Sequence, residues 1–125
     1  MAVRSLFPIL ATPDLPRLVA FYQATFDGVV DYRFPGEDGA DAYVSLSFGS
    51  GASIGIAHDP AADQPAPADR TAVWFYVDDV DEAYRAALAA GGSSRAEPTG
   101  MPWGERVAQV RDVDGNLVHL GAEPT

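Results

Sequence analysis

The chain has no cysteine. Disulfides, thiolate nucleophiles and Cys-ligated zinc are therefore excluded, although this does not fix a redox compartment. Basic residues are scarce as well: eight Lys and Arg stand against eighteen Asp and Glu, for a formal charge of −10. Phosphate recognition needs clustered cations, so nucleic acid is not an expected partner. Histidine is limited to His58 and His119. No apolar run approaches the roughly 18 residues that a membrane helix requires. Nor does the N-terminus show the basic, apolar and small-residue order of a secretory signal, so a cytoplasmic protein is expected.

What remains is a chain of 125 residues, 47% of them hydrophobic. That is enough for a single domain with one core, without metal or disulfide support. The surplus of carboxylates either keeps the protein in solution or attracts cationic ligands, and charge alone does not choose between the two.

Sliding the chain by 65 residues brings two similar units into register. The run Phe7-Pro8-Ile9-Leu10-Ala11-Thr12-Pro13-Asp14-Leu15 falls on Ala72-Val73-Trp74-Phe75-Tyr76-Val77-Asp78-Asp79-Val80. Each has strand character and ends at an Asp. Helical periodicity follows, with Leu15, Leu18, Tyr22 and Phe26 on one face in the first half and Val80, Ala83, Ala87 and Ala90 in the second. Asp14 and Asp79 are suited to N-capping, and Glu82 adds a capping-box-like partner to Asp79. Gly28 and Gly91-Gly92 are the expected stops. Strands are expected over residues 29–34, 43–48 and 53–57, then 94–97, 107–111 and 117–120. Residues 59–70, rich in Pro, Ala and Asp, form the expected linker between modules of about 1–58 and 71–125.

The closing segment runs from Met101-Pro102-Trp103-Gly104 through a strand, an Asp114-Gly115-Asn116 turn and a second strand bearing His119. With the repeat and the capped helices, this order resembles the vicinal oxygen chelate superfamily of glyoxalases, bleomycin-resistance proteins and extradiol dioxygenases. The resemblance implies a single α+β domain of tandem βαβββ modules. They would form a curved, cup-shaped mixed sheet with helices on the convex face.

Members of that superfamily either hold a divalent metal or bind drugs without one. The metal-binding pattern, carried over to this chain, falls on Phe7, Gly55, Ala72 and His119, and three of these have no lone pair to offer. His58 lies three residues beyond Gly55 and on the opposite strand parity. No metal and no other cofactor is therefore expected. The Asp112-Val113-Asp114-Gly115-Asn116 run is a hairpin sequence rather than a calcium loop, because an EF-hand places its Gly sixth.

Strand alternation selects the residues of the open face. Tyr43, Ser45 and Ser47 alternate with apolar Val44, Leu46 and Phe48, and Trp74 and Tyr76 alternate with Val73, Phe75 and Val77. His119 shares the open face, Gln109 joins it from the neighbouring strand, and Trp103 sits in a rim loop. Trp103 reads either as packing over the hairpin or as a flat wall for a ligand. These eight residues are the candidate ligand-binding set, and none is assigned a catalytic role.

The Pro102-Trp103-Gly104 loop and the His119 strand narrow the resemblance to bleomycin-resistance proteins. Such proteins are acidic, metal-free homodimers that sequester a cationic antibiotic and catalyse nothing. The expected partner is thus an aromatic, cationic small molecule, together with a second copy of the chain. The alternative is a metal-dependent or His119-based lyase, isomerase or dioxygenase of the same superfamily. Module one departs from the pattern around residues 31–42, which read as loop-like.

Overall fold

The computed structural model describes residues 1–63, 69 and 71–124. Residues 64–68 and 70 of the expected linker, and residue 125, lie outside the described residues. The chain divides into two compact units, Met1–Gln64 and Pro65–Thr125. The first runs β1 (Ile9–Thr12), α1 (Leu15–Phe26), β2 (Val29–Pro35), β3 (Asp41–Ser47) and β4 (Ser53–His58). The second runs β5 (Val73–Tyr76), α2 (Val80–Ala89), β6 (Ser93–Gly100), β7 (Arg106–Arg111) and β8 (Leu117–Ala122). This is the expected α+β pattern of βαβββ. Each unit has a four-stranded mixed sheet, ordered β1-β4-β3-β2 in one and β5-β8-β7-β6 in the other. The strand before each helix pairs in parallel with the last strand of its unit, and the remaining pairs are antiparallel. No helix among the described residues is long and apolar enough to cross a membrane.

Both helices begin where their Asp requires. The Asp14 carboxylate accepts from the Arg17 amide at 3.2 Å, and that of Asp79 accepts from the Glu82 amide at 3.0 Å. Each bond satisfies an amide that the first helical turn leaves without a partner. Helix α2 stops at Ala90, and Gly91 follows with φ +101°, as its missing Cβ allows. Helix α1 corrects the expected stop. Its left-handed residue is Asp27 (φ 57°), one position before Gly28. Gly28 is needed for a different reason, since a Cβ there would lie 3.0 Å from the Phe48 ring.

Alternation then decides burial. In the first unit Leu15, Leu18, Val19, Phe21 and Tyr22 of α1 are buried, as are Val44, Leu46, Ile54 and Ile56 of the sheet. In the second, Val80, Ala83 and Ala87 of α2 are buried, as are Ala108, Val110, Val118 and Leu120. The small alanines of α2 let the helix lie close to its sheet. Arg106 ties the two together through a bidentate pair with Asp81 at 2.7 and 2.9 Å.

Residues 31–42 are more regular than expected. β2 continues to Pro35 and β3 begins at Asp41, so only residues 36–40 turn. A bulge at Asp31 interrupts the alternation there and accounts for the misreading. In the closing hairpin Gly115 alone takes positive φ (+89°), whereas Asn116 contributes through its side chain. Buried Asp112 accepts from the Asp114 and Asn116 amides and from Asn116 Nδ2 at 2.9–3.0 Å, so it organises the turn.

Replacing the cap of α2 by Asp79→Ala should destabilise the protein by about 1 kcal/mol, read as a lower urea midpoint with unchanged slope. A loss of no more than a few tenths would show that the side chain does not cap the helix.

Candidate functional site

Each helix covers one face of its sheet and leaves the opposite face bare. In the first unit that face carries Tyr43, Ser45 and Ser47 of β3, all half-buried, as alternation predicts. Tyr32 (54% exposed) and Phe34 (56%) of β2 pair with Ser45 and Tyr43, and the Tyr32 and Tyr43 rings lie 6.2 Å apart. The Tyr43 ring is laid over Gly55, where a Cβ would meet its Cε1 and Cζ at 2.8 Å.

In the second unit the register sets Trp74, His119 and Gln109 side by side on β5, β8 and β7. The Trp74 and His119 rings stack, with centroids 5.1 Å apart and planes 15° from parallel. Trp74 lies flat because Gly121 offers no Cβ, which would come within 2.7 Å of the indole. Gln109 Nε2 is 3.2 Å from His119 Nδ1, and Arg95 donates to the Oε1 of the same amide. Burial first, and then the positive charge of Arg95, lower the His119 pKa below its ordinary value, which keeps the ring neutral at pH 7.

Two residues further along the strands, the surface changes sign. Tyr76 (55% exposed) pairs with Gly121, and its ring is 5.7 Å from Trp74. A hydrogen bond with Glu105, helped by the charges of Glu105 and Glu123, raises the Tyr76 phenol above its ordinary value. Trp103 is 61% exposed, and its indole N–H donates to the same Glu105 carboxylate. A concavity of about 490 Å³ lined by Tyr76, Val77, Asp78, Ala122, Glu123 and Pro124 adjoins this corner. The face thus runs from donors at Arg95, Gln109 and His119, across Trp74, to carboxylates framed by Tyr76 and Trp103.

The candidate residues therefore fall into two groups: Tyr43, Ser45 and Ser47 in the first unit, and Trp74, Tyr76, Trp103, Gln109 and His119 in the second. Arg95, Glu105 and Glu123 were not expected from the sequence. Arg95 reaches Gln109 because a bulge sets both Arg95 and Ala96 opposite it, which period-two counting does not reveal. A further concavity of about 600 Å³ in the first unit is lined by Asp14, Glu37, Asp38, Asp41 and His58, among others. Asp14 there caps α1, Asp38 accepts from the Ala40 amide and Asp41 pairs with Arg33, so these carboxylates have structural tasks.

The four positions that correspond to a metal site do not fit a divalent ion. Phe7 and Ala72 have no donor, the space beside Gly55 is filled by Tyr43, and His119 is engaged by Trp74 and Gln109. Among the described residues no group of three or more His, Asp or Glu could hold a metal ion.

Two βαβββ units, each with one sheet face covered by its helix and the other bare, define a class, and the sequence agrees with the fold. The chain belongs to the Glyoxalase/Bleomycin resistance protein/Dioxygenase superfamily, whose family model matches residues 5–120. Among solved structures, TioX from Micromonospora sp. ML1 is 28% identical, with a TM-score of 0.73 over 94% of this chain and 98% of that one. A glyoxalase/bleomycin resistance protein/dioxygenase family enzyme from Burkholderia phytofirmans PsJN is 21% identical (TM-score 0.76; 91% and 94% covered). The fosfomycin resistance protein FosX from Mesorhizobium loti is 17% identical (TM-score 0.74; 98% and 94% covered), and these last two show a shared fold alone. No curated protein matches the chain.

Gly121→Val in a Trp103→Phe background should lift Trp74 off the sheet and shift its fluorescence to the red. An unchanged emission maximum would show that Gly121 is not what seats the indole.

Proposed function

We propose that the protein is a cytoplasmic small-molecule-binding protein of the bleomycin-resistance type, which sequesters a flat, cationic compound such as an antibiotic without metal chemistry. The observation that carries this reading is the bare face of the second unit. There Trp74, Tyr76 and Trp103 are 41%, 55% and 61% exposed, beside the carboxylates Glu105 and Glu123. Exposed aromatic surface of this kind costs solubility unless it is used, and apolar walls with a few polar groups are what small-molecule sites consist of. A planar ring gains by stacking on Trp74. A positive charge on that ring is attracted by the aromatic faces and by Glu105.

Trp74→Ala should weaken binding of a cationic aromatic antibiotic by about 1–3 kcal/mol in calorimetric titration, with the fold intact. Glu105→Gln should weaken it less and reduce its salt dependence, since a screened long-range attraction is lost. The reading fails if bleomycin-like and other cationic ring compounds do not bind, or if a thioester, catechol or glutathione adduct is turned over with His119 essential.

The same reading includes a homodimer. β1 and β2 are the outer strands of the first sheet, and β5 and β6 those of the second. Outer strands with free backbone groups invite pairing, and a second copy would cover them with two-fold symmetry. Light scattering at micromolar concentration should give twice the chain mass of 13.2 kDa, and a monomer mass would contradict the dimer.

A further inference from the structure

His119 has neighbours that treat its two nitrogens differently. Gln109 lies beside Nδ1, and the other end of the Gln109 amide is held by Arg95. A guanidinium has donors only, so the atom it holds must be the amide oxygen. The atom facing His119 is then the amino group, again a donor. Nδ1 must accept, which means that it carries no proton. A neutral imidazole with a bare Nδ1 carries its proton on Nε2. Nε2 has no hydrogen-bond partner among the described residues. Protonating the ring would set an Nδ1–H against the Gln109 amino group, and turning the amide over would set that amino group against Arg95.

We propose that Arg95 and Gln109 are positioning residues that lock His119 as the neutral Nε2–H tautomer, so that this end of the face donates a hydrogen bond to an acceptor on the ligand. Arg95 is the charged group that acts on the ring. Its other neighbours, Trp74 and Gln109, are neutral, and Tyr76 lies beyond Trp74 with its phenol on Glu105. The lock follows from the geometry alone; the donor role rests on the proposed function, because it requires a ligand on this face. The lock also speaks against a general base here, since Nε2 has no lone pair to give and the Nδ1 lone pair is already engaged. The ligand class becomes narrower. It is a planar ring with a carbonyl or similar acceptor on the His119 side and a positive charge on the Glu105 side.

The lock is tested by ring ¹⁵N–¹H correlation spectra of the labelled protein, with His58→Gln to assign the two histidines. At pH 7 His119 should show a protonated Nε2 and an unprotonated Nδ1, with a titration midpoint below the ordinary value of about 6.5. Gln109→Glu replaces the donor beside Nδ1 by an acceptor. It should bring a proton to Nδ1 and raise the midpoint by about one unit or more. Arg95→Met frees the amide to turn and should give a mixture of tautomers. An Nδ1–H tautomer in the wild type, or an unchanged pattern in both variants, overturns the lock.

The donor role is tested by titration with 4-quinolone, which has a ring carbonyl, and N-methylquinolinium, which has none. His119→Phe keeps a stacking ring and removes the donor. It should weaken 4-quinolone binding about three- to tenfold and leave N-methylquinolinium nearly unchanged. Equal losses for the two rings overturn the donor role. Binding of neither ring counts against both the donor role and the proposed function, while the tautomer pattern still judges the lock.

Discussion

A four-stranded sheet with a single helix can bury only one of its faces, and the rest of this structure depends on that constraint. Side chains alternate along every strand, so the residues that build the core also determine which residues are left bare. In the second unit Ala108, Val110, Val118 and Leu120 are buried, and their alternates include Gln109 and His119. Parallel pairing of β5 with β8 then sets Trp74 beside His119 and Tyr76 beside Gly121. The candidate site is therefore the obverse of the core, and its residues are positioned by the same backbone hydrogen bonds.

Glycine gives the bare faces their flatness. Gly121 lets Trp74 lie across β8, and Gly55 lets Tyr43 lie across β4. Both glycines stand on the last strand of their unit, so the two halves of the chain solve the same packing problem in the same way. In the first unit the ring fills the space beside Gly55, and in the second it also stacks on His119. Ring over glycine and ring over imidazole are arrangements that favour stacking over coordination.

Much of this was legible in the sequence, for identifiable reasons. The Asp caps, the internal repeat and the period-two patterns of β3 and β5 each report a local rule that tertiary packing did not override. The open-face positions of Tyr43, Ser45, Ser47, Trp74, Tyr76 and His119 followed from parity alone. What could not be read depended on departures from regularity. The bulges at Asp31 and beside Arg95 break the count, so the regularity of the segment beyond the expected strand end at 34, and the Arg95–Gln109 contact, were not visible. Glu105 belongs to a loop, where no periodicity places a side chain, and its links to Trp103 and Tyr76 emerge only in three dimensions. Asp27 in place of Gly28 at the end of α1 reflects the tolerance of Asp for the left-handed region.

The central claim is that the bare face of the second unit, centred on Trp74, is the binding surface for a planar cation. Its most direct test is a ¹⁵N–¹H shift map of the labelled protein titrated with acridine orange. The account predicts saturable shifts at the Trp74 indole and at the amides of Gln109, His119 and Gly121, with the solvent faces of α1 and α2 unmoved. Shifts confined to the helices, or no saturable shift at Trp74, would contradict it.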